Sequence, residues 1–379
     1  MMTNLEYKPG LEGVVAAQTR RSYVNGQLGQ LLIAGYPLAD IAGRVTAEEV
    51  VYLLWHDRLP NAAELADLKA QLAALRPLPP ITLTLLQAIA TAKAPVMDAL
   101  RMAAGTLSLD LDDADAETVA LALVARFPTI VAAYWRLCQG LEPVAPTTDL
   151  GHAANYLYML KGERPSPAEA RGMATYLNTV SDHGLNVSSF TARVIVSTRS
   201  DLVSAITGAV GALKGPLHGG APGPALDMVF EIGQADRAEA YLRDKIERGE
   251  RLMGFGHRVY KVRDPRADVL AAAAESLYLA GGDMALYELA KSVEVTAVAL
   301  LEEYKPGRNL KTNVEFYTAL LLHGLGLSTD LFTPTFAVGR VAGWLAHCFE
   351  EMANGRLIRP KEEYIGEMNR QWVPLEERG

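Results

Sequence analysis

Apolar residues recur along most of the chain at the three- and four-residue spacing that lines one face of a helix. The apolar stripe at residues 50–54 follows Thr46-Ala-Glu-Glu49, the sequence of a capping box. Asn61 and Ser166 are also followed by Glu three residues later, and Pro167 suits a first helical position. Further helices are predicted near residues 82–93, 96–107, 115–125, 128–139, 151–161, 188–199, 201–213, 236–248, 266–280, 285–304, 313–323 and 334–353. The pattern predicts a mainly α fold.

The first thirty-five residues are the exception to this helical pattern. The sequence Tyr-Val-Asn-Gly-Gln-Leu at residues 23–28 is typical of a small hairpin, because Asn-Gly favours tight turns between antiparallel strands. Neither a solenoid repeat nor a low-complexity tract is recognisable elsewhere. One hairpin and many helices are therefore expected.

Composition narrows the class of protein. The chain has 379 residues and a net charge of −8, with 50% hydrophobic and 21% charged residues. This length allows about two domains with a shared core. A negative balance argues against nucleic acid as the main partner, because phosphate binding needs a surplus of Lys and Arg. We expect a globular protein, with enzymes as the favoured class.

Cysteine content and the chain's N-terminal residues bear on its compartment. Only Cys138 and Cys348 are present, too few for a disulfide framework or a cysteine-based zinc site. The first residues lack the basic and apolar regions of a signal peptide. The longest apolar candidate for a membrane span, residues 332–349, contains Arg340 and His347. We expect a cytoplasmic protein without a membrane partner.

Metal and nucleotide chemistry find little support in the motifs. The seven His include no pair at helical ligand spacing with an acidic partner, so no metal site is expected. A Walker loop is absent, and Gly254-Phe-Gly256 has two glycines of a dinucleotide fingerprint without the third. No cofactor is predicted.

Two glycine-rich segments are candidates for chemistry. Residues 214–220 surround His218 with glycine; they form either a helix-breaking turn or a backbone that holds the imidazole towards a developing oxyanion. Residues 254–266 contain His257 and four basic side chains. These form either a solvated charge run or a site for an anion with carboxylates or phosphates, the reading favoured in an acidic chain.

A third segment, around Glu315, has a structural and a catalytic interpretation. Thr312 and Glu315 fit another capping box, in which Glu315 would only satisfy backbone N–H groups at a helix start. The alternative is a carboxylate that acts in catalysis. Taken alone, the segment favours the cap.

Together these segments resemble the citrate synthase family. The matching motifs are Gly-Pro-Leu-His-Gly-Gly at 215–220, Gly-Phe-Gly-His-Arg-Val-Tyr-Lys with Asp-Pro-Arg at 254–266, and Asn-Val-Glu-Phe-Tyr at 313–317. A further stretch at 182–188 matches the family's Asp-His…Asn-x-Ser pattern. The resemblance runs from about residue 9 to 360 and implies a helical fold. It also implies a large domain at 1–219 and 326–379 and a smaller, closing domain at 220–325.

The resemblance implies an acyltransferase that joins acetyl-CoA to oxaloacetate and hydrolyses the thioester to citrate and CoA. Glu315 would be the base, His218 the donor to the enolate oxygen, and His257 the group that polarises the ketone. The remaining implied contacts are to oxaloacetate by His183, Arg266, Arg340 and Arg359, and to CoA by Arg258 and Lys261. Arg359 would come from the partner subunit, which implies a homodimer, with larger assemblies open.

The sequence departs from the family pattern at the base, where Glu315 stands in place of the usual Asp. The extra methylene extends its reach by about 1.5 Å. Two alternatives stay open: a 2-methylcitrate synthase that uses propionyl-CoA, since one methylene provides only about 1–3 kcal/mol of discrimination, and a weakly active or non-catalytic paralogue that binds CoA or citrate. Retention of six candidate His and Arg residues argues against the paralogue.

Overall fold

The computed structural model describes residues 7–111, 114–219, 222–257, 259–281 and 283–378, with only the backbone at 222. Arg258, one of the two residues predicted to contact CoA, lies outside the described residues. Helices dominate throughout, as the apolar spacing predicts.

Sixteen α-helices lie within the described ranges. They are α1 Leu38–Ile41, α2 Ala47–His56, α3 Ala62–Leu75, α4 Pro80–Thr91, α5 Val96–Thr106, α6 Ala116–Cys138, α7 His152–Lys161, α8 Pro167–Val180, α9 Val187–Ser197, α10 Leu202–Leu213, α11 Pro222–Ile232, α12 Ala238–Glu247, α13 Pro265–Leu279, α14 Met284–Tyr304, α15 Val314–Gly324 and α16 Phe332–Asn354. The capping boxes predicted at Thr46, Asn61 and Ser166 are confirmed, each with its Glu returning to the backbone.

Three short strands form one antiparallel sheet near the N-terminus. They are β1 Ser22–Asn25, β2 Gln30–Ile33 and β3 Tyr36–Pro37, in the order β1-β2-β3. The predicted hairpin is confirmed, but Asn25 pairs with Gln30, so a four-residue loop replaces a tight Asn-Gly turn. The Asn25 side chain accepts the N–H groups of Gln27 and Leu28 and thereby shapes that loop.

The core is built around α6 and α16, which pack against each other. Two helices were expected at 115–125 and 128–139, and this prediction is wrong: α6 is continuous, with Pro128 inside it. A proline within a helix removes one backbone hydrogen bond. Residues 120–134 are all buried, so tertiary packing around the helix compensates for that loss.

The prediction of which segment most resembles a membrane span also needs a correction. Residues 332–349 were expected to be the longest apolar candidate. Within the described ranges it is instead α6 that is long and apolar enough to cross a membrane. However, 78% of its apolar window is buried inside the protein. A core helix satisfies the same criterion of length and composition, because it too must be apolar on every side.

Helices α11 to α15 pack against one another, and α13 also packs against α8. Helix α11 was not predicted from the sequence; it packs against α15. After α16 the chain runs largely exposed to residue 378, with a short 3₁₀ turn at Leu375–Glu377. The division into a large domain and a small domain at 220–325 stays a prediction.

Candidate active site

A cavity of about 180 Å³ lies where several segments meet: the ends of α8 and α10, the starts of α13 and α15, and the first half of α16. Six of the nine predicted site residues line it. The lining residues are His183, Asn186, His218, Gly219, His257, Arg266, Val314, Glu315, Thr318, Phe332, Thr333, Phe336 and Arg340. The fold therefore brings together side chains from five separate parts of the sequence.

The turn after α10 holds His218 at the cavity. The N–H of His218 donates to the Gly215 carbonyl at 2.9 Å. A Cβ at Gly219 would lie only 2.4 Å from the Leu213 carbonyl oxygen. Thr333 on α16 also donates to the Gly219 carbonyl at 2.6 Å. Glycine is thus required at 219, because the backbone of the turn lies close to both the Leu213 carbonyl at the end of α10 and Thr333 on α16.

The imidazole of His218 is fixed by a residue that sequence reasoning did not assign. Its Nε2 lies 2.8 Å from the hydroxyl of Ser188, which also lies 2.8 Å from the Asn186 side-chain oxygen. Trp344 Nε1 donates to the same hydroxyl at 3.0 Å. Burial, helped by the charge of Arg340, lowers the pKa of His218 to about 4, so the ring is neutral at pH 7. The Asn-x-Ser motif at 186–188 was the available signal for Ser188.

His257 follows Gly254 and Gly256, which both adopt positive φ, at 87° and 83°. Its Nδ1 accepts the backbone N–H groups of Val259 and Tyr260 at 3.0 and 3.1 Å. Burial and the neighbouring Arg266 lower the pKa of His257 to about 4. The neutral ring therefore carries its proton on Nε2 and can donate it in a hydrogen bond.

Arg266 lies in the first turn of α13 and is held by the residue that caps this helix. Asp264 accepts the Arg266 N–H and pairs with its guanidinium at 3.0 and 2.7 Å. Asp264 is 0% exposed and Arg266 is 4% exposed. Arg266 Nη2, one of the two nitrogens that pair with Asp264, also lies 3.3 Å from His257 Nε2. Such a bidentate pair fixes the guanidinium plane beside His257.

Arg340 supplies a second buried cation on α16. It is 1% exposed, its Nε donates to the Val180 carbonyl at 2.5 Å, and its guanidinium lies 4.5 Å from the Phe336 ring centroid. Burial lowers its pKa to about 10, and the charge of Asp182 opposes this only in part. Within the described part of the chain Arg340 forms no ion pair. A buried cation without a counter-ion at a cavity is suited to an anionic ligand.

His183 completes the polar wall. Its Nε2 lies 3.0 Å from the hydroxyl of Tyr260, and its ring centroid lies 6.0 Å from that of His257. Burial, followed by the charges of Arg266 and Arg340, lowers the pKa of His183 well below its usual value. It offers a hydrogen bond to a ligand and no positive charge.

The capping-box reading of Glu315 is contradicted by the start of α15. Asn313 caps the helix and accepts the Glu315 N–H at 3.0 Å. The hydroxyl of Thr312 instead donates to Glu294 at 2.5 Å. Among the described residues, no group donates a hydrogen bond to the Glu315 carboxylate, which lies half-buried in the cavity wall.

Burial raises the pKa of Glu315 to about 6, opposed by the positive charge of Arg266 and supported by the negative charge of Asp264. A carboxylate with this pKa is mostly ionised at pH 7 and is a stronger base than an exposed one. Such a group is suited to taking a proton from a weak carbon acid.

Two predicted residues lie apart from the cavity. Arg359 is exposed in the segment after α16. Lys261 is exposed on the loop after His257, where its N–H donates to the Gly26 carbonyl at 2.9 Å. In the described ranges, no group of three or more His, Cys, Asp and Glu side chains could hold a metal ion.

Comparison with known proteins identifies the family. The family profile described as citrate synthase, C-terminal domain, matches residues 10–361. The chain belongs to the citrate synthase family. Citrate synthase 2 of Bacillus subtilis is 44% identical over 97% of this chain and 98% of its own length. The citrate synthase of Haloferax volcanii is 42% identical over 98% and 99%. The 2-methylcitrate synthase of Shewanella oneidensis is 37% identical over 97% of each chain.

Solved structures agree with this family and its fold. The citrate synthase of Pyrobaculum aerophilum superimposes with a TM-score of 0.88 at 38% identity, over 98% of this chain and 95% of that one. The enzyme of Thermoplasma acidophilum, solved as a ternary complex with carboxymethyl coenzyme A and oxaloacetate, gives 0.87 at 30% identity, over 98% and 100%. As a member of this family, the present chain is an enzyme that makes citrate, and its fold is mainly α.

Proposed function

We propose that the cavity condenses acetyl-CoA with oxaloacetate and hydrolyses the citryl thioester to citrate and CoA. One observation carries the proposal. Glu315, a carboxylate with a raised pKa, shares the cavity with three neutral His rings and with Arg340, a buried cation that lacks an ion-pair partner among the described residues. A base, hydrogen-bond donors and an anion site are what this reaction needs.

The first step is removal of a proton from the acetyl methyl group. Glu315 accepts this proton, and His218 donates a hydrogen bond to the thioester oxygen as that oxygen gains negative charge. For Nδ1 of His218 to carry the proton, its Nε2 must accept a hydrogen bond from the Ser188 hydroxyl. This hydroxyl has a single proton and lies 2.8 Å from both His218 Nε2 and the Asn186 side-chain oxygen, so the arrangement requires Ser188 to donate to His218 instead of to Asn186.

The second step forms the carbon–carbon bond. The carboxylates of oxaloacetate bind Arg266 and Arg340, and His183 adds a hydrogen bond. His257 donates a hydrogen bond from Nε2 to the ketone oxygen and so polarises the ketone as the enolate carbon attacks its carbon. The alkoxide that forms takes up one proton, equal to the one that Glu315 removed from the methyl group, so that His257 stays neutral and Glu315 is again ionised. Water then attacks the citryl thioester and CoA leaves as the thiol. The sum is acetyl-CoA, oxaloacetate and water to citrate, CoA and one proton.

Initial rates with acetyl-CoA and propionyl-CoA, each with and without oxaloacetate, test the function. Oxaloacetate-dependent thiol release with acetyl-CoA and citrate as product are expected. Faster turnover of propionyl-CoA with 2-methylcitrate as product would instead support a 2-methylcitrate synthase. This second candidate function is supported by the 37% identity to a 2-methylcitrate synthase. Release of no thiol with either acyl-CoA would refute both and leave a binding protein.

A homodimer in which Arg359 reaches the partner's cavity is part of the proposal. Arg359 lies in the exposed segment after α16, which also exposes large apolar side chains. These are Leu357, Tyr364, Ile365, Met368, Trp372, Val373 and Leu375. A second copy of the chain would cover them. We also propose that Lys261 meets a phosphate of CoA and that the protein is cytoplasmic, since both cysteines are free.

A mixing experiment tests the shared site. Arg359→Ala and His218→Ala proteins are mixed and allowed to exchange subunits. Hybrid dimers then hold one site with both residues intact, so about a quarter of the unmodified activity should return with random exchange. A mixture of His218→Ala with His257→Ala is the matched control, because both residues belong to one cavity and no hybrid site is complete. No recovery after verified exchange in the first mixture would refute the shared site.

A further inference from the structure

The buried carboxylate of Glu294 on α14 links two segments that carry proposed site residues. Glu294 is 9% exposed. The hydroxyl of Thr312 donates to its Oε1 at 2.5 Å, and the hydroxyl of Tyr317 donates to its Oε2 at 2.5 Å. Arg263 forms an ion pair with the same carboxylate. Glu294 itself does not line the cavity.

These partners flank the proposed base and the proposed substrate-binding arginine. Thr312 and Tyr317 stand on either side of Glu315, and Arg263 precedes Arg266 by three residues. The Thr312 carbonyl also accepts the N–H of Asp264, the residue that holds the Arg266 guanidinium. Glu294 therefore connects the start of α15 with the segment that leads into α13.

The position of the Glu315 carboxylate depends on this connection. No described residue donates a hydrogen bond to that carboxylate, so its location follows from the backbone at the start of α15. A displacement of about 1 Å at a reacting group costs on the order of a hundredfold in rate. Arg266 is less dependent, because Asp264 holds its guanidinium directly.

We propose that Glu294 is a positioning residue that fixes the Glu315 carboxylate relative to Arg266 and the bound keto acid. This inference rests on the proposed function. A carboxylate is suited to the task because it accepts hydrogen bonds from two hydroxyls and pairs with a cation at the same time. The three partners come from the loop before α13, the segment before α15 and α15 itself.

The experiment compares variants that remove or keep single contacts. Glu294→Gln removes the charge, and we expect kcat to fall at least about tenfold, while the dissociation constant of oxaloacetate changes less than about threefold. Thr312→Val keeps the shape of the side chain and removes the hydroxyl; kcat should fall about three- to tenfold. Thr312→Ser restores the hydroxyl and should stay within about twofold of the unmodified enzyme.

Tyr278→Phe is the matched control for stability. It removes a buried hydrogen bond to the Leu320 carbonyl on the same helix, α15, beyond the half that carries Glu315. It should lower the melting temperature without lowering kcat. Calorimetric titration with oxaloacetate gives the number of competent sites in each variant, so that kcat refers only to folded enzyme.

The outcomes separate the two proposals. If the unmodified enzyme forms no citrate, the proposed function is wrong. If it forms citrate while Glu294→Gln and Thr312→Val keep their kcat per competent site, Glu294 has only a structural role and the inference is overturned. Loss of kcat in Thr312→Ser equal to that in Thr312→Val would also overturn it, since the hydroxyl would then be irrelevant.

Discussion

Replacement of Glu315 by Gln should abolish turnover and leave the protein at least as stable at pH 7. Gln keeps the size and shape of the side chain but replaces one carboxylate oxygen with an NH2 group, so it cannot take a proton from carbon. A positioned general base contributes about 10²- to 10⁴-fold to a rate, so a loss of at least about a hundredfold is expected. The helix cap is untouched, because Asn313 provides it.

The stability change follows from the pKa of Glu315, which burial raises from 4.5 to about 6. The folded state therefore binds this proton more tightly than the unfolded state does. As pH rises through the window from 4.5 to 6, ionisation of the buried carboxyl destabilises the folded state by about 2 kcal/mol. Gln carries no charge, so the variant should gain up to about 2 kcal/mol at pH 7.

Calorimetric melting at pH 7.5 and pH 5 measures the difference between the two proteins. The Gln variant should melt higher at pH 7.5, and its advantage should shrink at pH 5, where more Glu315 is protonated. Oxaloacetate binding should survive in the same samples, because the arginines are unchanged. A variant that melts lower at pH 7.5 and turns over normally would refute both the burial argument and the catalytic role.

Three further changes test other contacts. Gly26→Ala puts a Cβ 2.1 Å from the Val259 carbonyl oxygen. The hairpin must then move away from the loop after His257, so steady-state kinetics should show a lower kcat. Unchanged kinetics would refute a role of this contact in placing the loop. Tyr260→Phe removes the 3.0 Å bond to His183; the oxaloacetate dissociation constant from calorimetry should rise about two- to tenfold, and no change would exclude that bond from binding. Arg340→Met removes a buried cation that lacks an ion-pair partner among the described residues. The melting temperature should rise while oxaloacetate binding is lost. Retained binding would exclude Arg340 from the anion site.

Local interactions made much of the fold predictable. A capping box at Thr46 needs only residues three apart, so the helix start can be read from the sequence and the structure agrees. The same local logic failed at Thr312. Its hydroxyl donates to Glu294, a residue 18 positions away along the chain, and nothing within the motif indicates that competitor. Pro128 likewise lies inside a helix only because packing surrounds it.

The active site likewise has properties that could be predicted from the sequence and others that could not. Motifs in a fixed order along the chain predicted the family, and with it six side chains that line one cavity. The protonation state of these side chains could not be predicted in this way, because it depends on the folded surroundings. Burial and neighbouring charge make Glu315 a base with a pKa of about 6, and two backbone N–H groups assign the proton of His257 to Nε2. These properties depend on what surrounds a side chain in space, because desolvation and Coulomb interactions act between residues that are distant in the chain.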